Sequence, residues 1–141
     1  MATAGNPPGA IGVIWLASAW QEWTAGGDTQ FRLCVRASQQ DCVVDGDTFR
    51  YRGETIRVSD IDAPEVRDYQ CASEAALGHR ATERLLSLLN AGAFRLEASG
   101  RDRDRYGRLA RLVIRDGRSL GDVLIGEGLA RRWAGARHSW C

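Results

Sequence analysis

Between residues 42 and 64 the chain is cut by Asp45-Gly46, Arg52-Gly53 and Ala63-Pro64 into segments of only a few residues. Segments this short suit strands and not helices, and Asp-Gly is a turn signal of the kind hairpins use. Strands are therefore expected over residues 42–44, 48–51 and 55–60, preceded by one over 31–36. Ala63-Pro64 ends the pairing, because proline cannot donate to a ladder and biases its predecessor toward extended geometry. Acids crowd into this same stretch: Asp45, Asp47, Asp60, Asp62 and Glu65 fall at the strand ends, with arginines threaded between them.

Downstream the period changes. Leu77, Ala81, Leu85 and Leu88 recur at helical spacing. They predict a helix from Ser73, as N-cap, to about Asn90, with Gly92 just past its end. Strands follow over 94–97 and 109–114, the second closing at Asp116-Gly117. Ser119 and Asp122 have capping-box spacing and open a short helix that Gly128 stops, before a last extended piece over 129–132. Five or so short strands with helices inserted make a mainly β chain with α. The expected architecture is a five-stranded OB-type barrel with two or three packed helices.

At 141 residues there is room for one domain with a hydrophobic core and a tail, and the division is drawn at residues 1–28 and 29–141. The tail holds an apolar run over 10–16 followed by Ala17-Ser18-Ala19, patterned like an export signal or an anchor remnant. The run is far short of the ~20 residues of a membrane span, so a membrane partner is expected only if the segment is retained as an anchor. Cys34 and Cys42 flank a polar turn and can close a small loop, and Cys71 can then meet Cys141. Four free thiols are the alternative, and bridges would place the chain in a periplasmic or secreted compartment. All nineteen basic residues are arginine, eleven of them from Arg95 onward against six acids, so the second half suits a polyanion.

The acids need an explanation of their own. Two carboxylates ~4 Å apart repel by roughly 4 kcal/mol at an effective dielectric near 20. Converging Asp47, Asp62 and Glu65 therefore calls for a cation, with calcium first and magnesium second, because both take oxygen ligands. The alternative is a set of solvated strand-end caps and surface ion pairs. Arg57 and Arg108 would add fixed positive charge for a phosphoryl transition state. Strict alternation along one strand would put Arg57 and Asp62 on opposite faces, so the chain must bend or leave the sheet between them. His79, off the leucine stripe, and His138, in a polar segment, are given no catalytic role.

VDGDT (44–48), IRVSDIDAPE (56–65), DRYGR (104–108) and the DGRSL…EGLA run ending at Ala130 resemble the thermonuclease, or staphylococcal-nuclease-like, family. The resemblance covers about residues 42–132. It implies a five-stranded OB barrel and calcium-dependent hydrolysis of DNA and RNA phosphodiesters. It also implies that Asp47, Asp62 and the Ala63 carbonyl hold the metal, that Glu65 orients or deprotonates water, and that Arg57 and Arg108 grip the scissile phosphate. Tyr106 would bond phosphate or shape the nucleotide pocket, and Trp133 would offer a stacking face. The partner is thus DNA and/or RNA, met by a monomer with no stable protein partner. Rival readings are a catalytically silent binding module of the same fold and a calcium-stabilised structural domain.

Overall fold

The computed structural model describes residues 22–141, so the export-like segment around residues 10–19 lies outside the described residues. In chain order the strands are β1 (Glu22–Ala25), β2 (Arg32–Leu33), β3 (Cys42–Asp45), β4 (Thr48–Tyr51), β5 (Glu54–Val58) and β6 (Ile61–Asp62). Helix α1 (Ala72–Asn90) follows, then β7 (Phe94–Arg103), β8 (Leu109–Arg115), β9 (Arg118–Ser119), helix α2 (Leu120–Gly126) and β10 (Arg131–Arg132).

The main sheet runs β1-β7-β8-β5-β4-β3-β2, with β9 paired to β8. Its five central strands, β7, β8, β5, β4 and β3, are the expected OB-type set. They curl into an open half-barrel, and the strand count exceeds five because short pieces extend both edges. At one edge β1 pairs antiparallel with β7. At the other, β2 lies parallel to β3, and the Cys34–Cys42 bridge ties them together. The strand expected over 31–36 stops at Leu33, because the Gln39 side chain accepts the amides of Val35 and Arg36 and folds the chain into a turn.

Both central turns form, the second at Arg52-Gly53 as predicted and the first one residue later than the Asp-Gly dipeptide, at Gly46-Asp47, because Asp45 stays in β3 opposite Thr48. Arg52 and Gly53 both take positive φ (52° and 83°), the geometry a two-residue hairpin requires. Helix α1 lays Ala81, Leu85, Leu88 and Leu89 on the curled sheet, and these join Phe49, Ile56, Leu96, Leu109 and Val113 in one core. The N-cap is Cys71 and not Ser73: Cys71 keeps an extended backbone and its carbonyl already accepts the amide of Ala75. Only the N-cap half of the α2 capping box forms: the Ser119 side chain accepts the Asp122 amide, while the Asp122 carboxylate pairs with Arg132 instead of reaching back.

Two more expected strands differ in length. The strand over 94–97 continues to Arg103, carried by an irregularity between Ala98 and Arg103 in its pairing with β8. There Arg111 fills a core-facing position between Leu109 and Val113, its buried guanidinium 2.7 Å from Asp102. The strand over 55–60 ends at Val58. Residues 59 and 60 turn, and β6 joins β10 in a separate two-stranded sheet.

Candidate active site

That exit from the sheet resolves the conflict of faces. Arg57 stays on β5, while Asp62 belongs to the second ribbon and approaches from another direction. Arg57 bridges the turn by donating through Nη1 to the carbonyls of Val58 and Ile61, the latter at 2.8 Å. Its Nη2 lies 3.5 Å from Asp47 Oδ2.

The acidic turn packs directly on α1. A Cβ on Gly46 would fall 2.7 Å from Ala81 Cβ and 2.9 Å from Ala63 Cβ, so only glycine permits this approach. Asp47 Oδ2 accepts the Ala63 amide at 2.9 Å, and Oδ1 accepts the Thr48 hydroxyl at 3.0 Å. Asp47 thus lies against the peptide joining Asp62 to Ala63. Both acids are nearly sealed from solvent, at 4% and 3% exposure.

Glu65 is placed by a residue that sequence reasoning passed over. The buried Glu74, in the first turn of α1, accepts the amide of Glu65 at 3.0 Å and that of Gln70 at 2.8 Å, stapling the loop to the helix. Burial works to raise the Glu74 carboxyl, but these two backbone donors outweigh it and hold it below its usual range. A carboxyl depressed in the folded state stabilises fully above its unfolded value and loses that contribution as pH falls through the folded one. Glu74→Ala is accordingly expected to cost about 2–3 kcal/mol in urea unfolding at pH 7. The deficit against wild type should shrink once pH drops below the ordinary carboxyl value of 4.5.

The acids strain one another. Burial, then the nearby Asp47 charge, pushes the Asp45 carboxyl up to about 8. Burial also raises Asp62 and Glu65 above their ordinary values, with Arg137 opposing the rise at both and Asp47 adding to it. Among the described residues no three His, Cys, Asp or Glu side chains form a complete metal cage. Asp47 Oδ2 accepts the Ala63 amide, on the peptide that follows Asp62, and its charge is felt at the Asp62 carboxyl. Asp62 Oδ1 is buried, and the positive charge beside it is the Arg137 guanidinium at 3.0 Å. The residues fit a hard divalent ion that completes a shell of about six to eight oxygens with water and substrate.

Arg108 stands across a cavity of about 850 Å³ that Asp47, Arg57, Glu65, Tyr106 and Trp133 also line. Asp104 fixes it from within the hairpin: Oδ2 accepts Arg108 Nε at 2.7 Å, and Oδ1 accepts the amides of Tyr106 and Arg108 at 2.9 and 3.0 Å. The terminal amino groups of Arg108 make no hydrogen bond among the described residues. Tyr106 is two-thirds exposed at the hairpin tip, between the guanidiniums of Arg105 and Arg108. Trp133 donates its amide to Asp60, and its ring lies 5.6 Å from the Arg57 guanidinium. Asp62 and Ala63 are not among the residues that line the cavity. His79 and His138 are both exposed and outside it.

A second bridge joins Cys71 to Cys141, so all four cysteines are paired. It brings the segment after β10 back to the acidic loop. Arg137, on that segment, was not singled out from the sequence. Its distance along the chain from Asp62 hides the contact, and only the Cys71 and Cys141 pairing hints at it. Among the described residues no helix is long and apolar enough to cross a membrane.

The chain is 41% identical over 96 residues to the SPbeta prophage-derived endonuclease YokF of Bacillus subtilis (strain 168), covering 64% of this chain and 32% of that protein. It is 38% identical over 96 residues to endonuclease YncB of the same organism, covering 64% and 45%. It is also 36% identical over 101 residues to the succinoglycan biosynthesis protein ExoI of Rhizobium meliloti (strain 1021), covering 64% and 49%. The chain thus spans a third to a half of the length of these relatives. A family model described as staphylococcal nuclease homologue matches residues 55–139, which hold Arg57, the Asp62–Glu65 loop and the Arg108 hairpin. With the half-barrel, and with Arg57, Glu65 and Arg108 around one cavity, the match establishes that the chain belongs to the staphylococcal nuclease homologue family.

Proposed function

We propose that this chain is a calcium-dependent nuclease that hydrolyses phosphodiester bonds of DNA and/or RNA with little sequence preference. The observation that carries the reading is the sharing of one cavity by Arg57 and Arg108 with Asp47 and Glu65. Two relatives named as endonucleases support it.

In this reading Asp47, Asp62 and the Ala63 carbonyl hold the metal, which supplies positive charge to the phosphate and its attacking water. Glu65, which lines the same cavity as Arg57 and Arg108, orients that water and takes its proton. Arg57 and Arg108 grip the phosphate oxygens as charge gathers on them, and Arg108 steadies the leaving oxygen. Tyr106 and Trp133 border the nucleotide, with Trp133 as the stacking face. The working unit is residues 29–141 together with β1, whose Ala25 packs in the core, acting as a monomer. Its two disulfides suit an extracytoplasmic location.

Digestion of plasmid and oligonucleotide across a calcium titration tests this. Cleavage should rise with calcium and vanish with chelator. Binding of oligonucleotide without cleavage at any calcium level would instead favour the silent binding module. Within the same assay, Asp104→Ala should lower cleavage roughly tenfold, because Arg108 keeps its charge but loses its fixed position.

A further inference from the structure

After β10 the chain runs back across the acidic loop to Cys141, whose bond to Cys71 anchors it beside the start of α1. Along this stretch Arg137 sets Nη1 3.0 Å from Asp62 Oδ1 and 2.8 Å from Glu65 Oε2. Its Nη2 lies 3.4 Å from the Ala63 carbonyl oxygen. One guanidinium therefore touches two of the three oxygen donors assigned above to the metal, and the assigned base as well. The third donor, Asp47, faces Arg57.

These contacts and divalent-ion binding compete. A guanidinium 3.0 Å from Asp62 Oδ1 and 3.4 Å from the Ala63 carbonyl oxygen would lie within a few ångströms of a dication on the same oxygens, and two positive charges that close repel. Asp62 Oδ1 has no accessible surface; Arg137 stands against it, and Trp140 lies beside the same carboxyl. The arginine itself is not trapped, since its side chain is 44% exposed. Gly135, with φ of 88°, gives the segment a turn two residues before it. A guanidinium also stays charged at every working pH, so it can neutralise the acids whenever no other cation does so.

We propose that Arg137 is a built-in counter-ion that holds the divalent-ion oxygens of the resting protein, on a segment tethered by Cys71–Cys141, and that an ion binds by displacing it. The proposal rests on the assignment of Asp47, Asp62 and Ala63 as the ion's ligands. It makes the apparent ion affinity of the wild type weaker than the intrinsic one by the fraction of molecules in which Arg137 has swung away.

Calorimetric titration of the whole chain with calcium chloride, in wild type, Arg137→Gln and Asp47→Asn proteins, provides the test. Arg137→Gln should bind calcium on the order of tenfold more tightly, the effect of an arginine that occupies the site about nine-tenths of the time. Its ion-free form should melt below ion-free wild type, since Asp62 and Glu65 lose their partner. With saturating calcium the two melting points should come together. Equal or weaker calcium binding by Arg137→Gln overturns the proposal. So does an unchanged calcium affinity accompanied by weaker oligonucleotide binding, which would make Arg137 a substrate clamp. Absence of binding in both wild type and Arg137→Gln would show that the ligand assignment has failed and this proposal with it. Binding that survives in Asp47→Asn would have the same meaning.

Discussion

Replacing Arg108 by alanine is expected to lower turnover on the order of 10³-fold or more, the lower end of what a transition-state arginine contributes in phosphoryl transfer. The chain spends several groups on placing this one side chain. Gly107, at φ 82°, closes the hairpin, the Asp104 amide donates to the Arg108 carbonyl, and the Asp104 carboxylate takes Nε. Burial tends to raise the Asp104 carboxyl, yet the Arg108 amide and side chain and the Tyr106 amide hold it below its ordinary value. The ion pair therefore persists at any pH where such an enzyme is assayed. What remains of the guanidinium faces the cavity, so its removal should reduce kcat far more than it raises KM. Lysine should not rescue the loss, because it cannot keep Asp104 on one nitrogen and offer a planar pair to phosphate. Single-turnover cleavage of an oligonucleotide, alongside an unchanged urea midpoint, is the measurement. A rate within tenfold of wild type would remove Arg108 from the chemistry.

The parts of this site that could be read from sequence are those set by local rules. Asp-Gly and Arg-Gly turns fix the register of β3, β4 and β5, and the spacing of Leu77, Ala81, Leu85 and Leu88 fixes the buried face of α1. Period-two alternation even exposed the problem between Arg57 and Asp62, though not its solution, because pairing of β6 with β10 depends on residues about seventy positions away. Arg111 was beyond reach for a similar reason. A charged side chain at a core position contradicts the hydrophobic pattern, and it is tolerated because the guanidinium pairs with Asp102 on the neighbouring strand and donates to the Asp102 and Ala110 carbonyls. The Ser73 cap failed because Ser and Cys71 compete within one turn, and the Cys71–Cys141 bond, a long-range constraint, lies just where the helix begins. Glu74 had a legible signal, an acid in the first turn of a helix, but that signal ordinarily means a favourable dipole and not a loop staple.

Gly78 carries the second large expected effect, and its warning was visible: a glycine inside a helix is destabilising by roughly 0.5–1 kcal/mol relative to alanine. Gly78→Ala should therefore improve α1 taken alone. In the folded chain, however, a Cβ there would lie 2.6 Å from the Glu65 carbonyl oxygen and 2.9 Å from both the Glu65 carbonyl carbon and the Pro64 oxygen. Those are backbone atoms with no rotamer to retreat into, so the loop carrying Ala63 and Glu65 has to move as a unit. Glu74 resists that movement from one side and Asp47 from the other. Overpacking of this kind destabilises by about 1–3 kcal/mol, which leaves the chain folded. A displacement of ~1 Å at a catalytic loop can nevertheless cost about 10²-fold in rate. Gly78→Ala is thus expected to cleave roughly a hundredfold more slowly while keeping its circular dichroism spectrum. Gly126→Ala provides the contrast, since nothing lies within 4 Å of its added Cβ at the end of α2. That variant should retain full activity, and equal losses in the two proteins would mean that helix propensity, not the approach of Gly78 to Glu65, sets the rate.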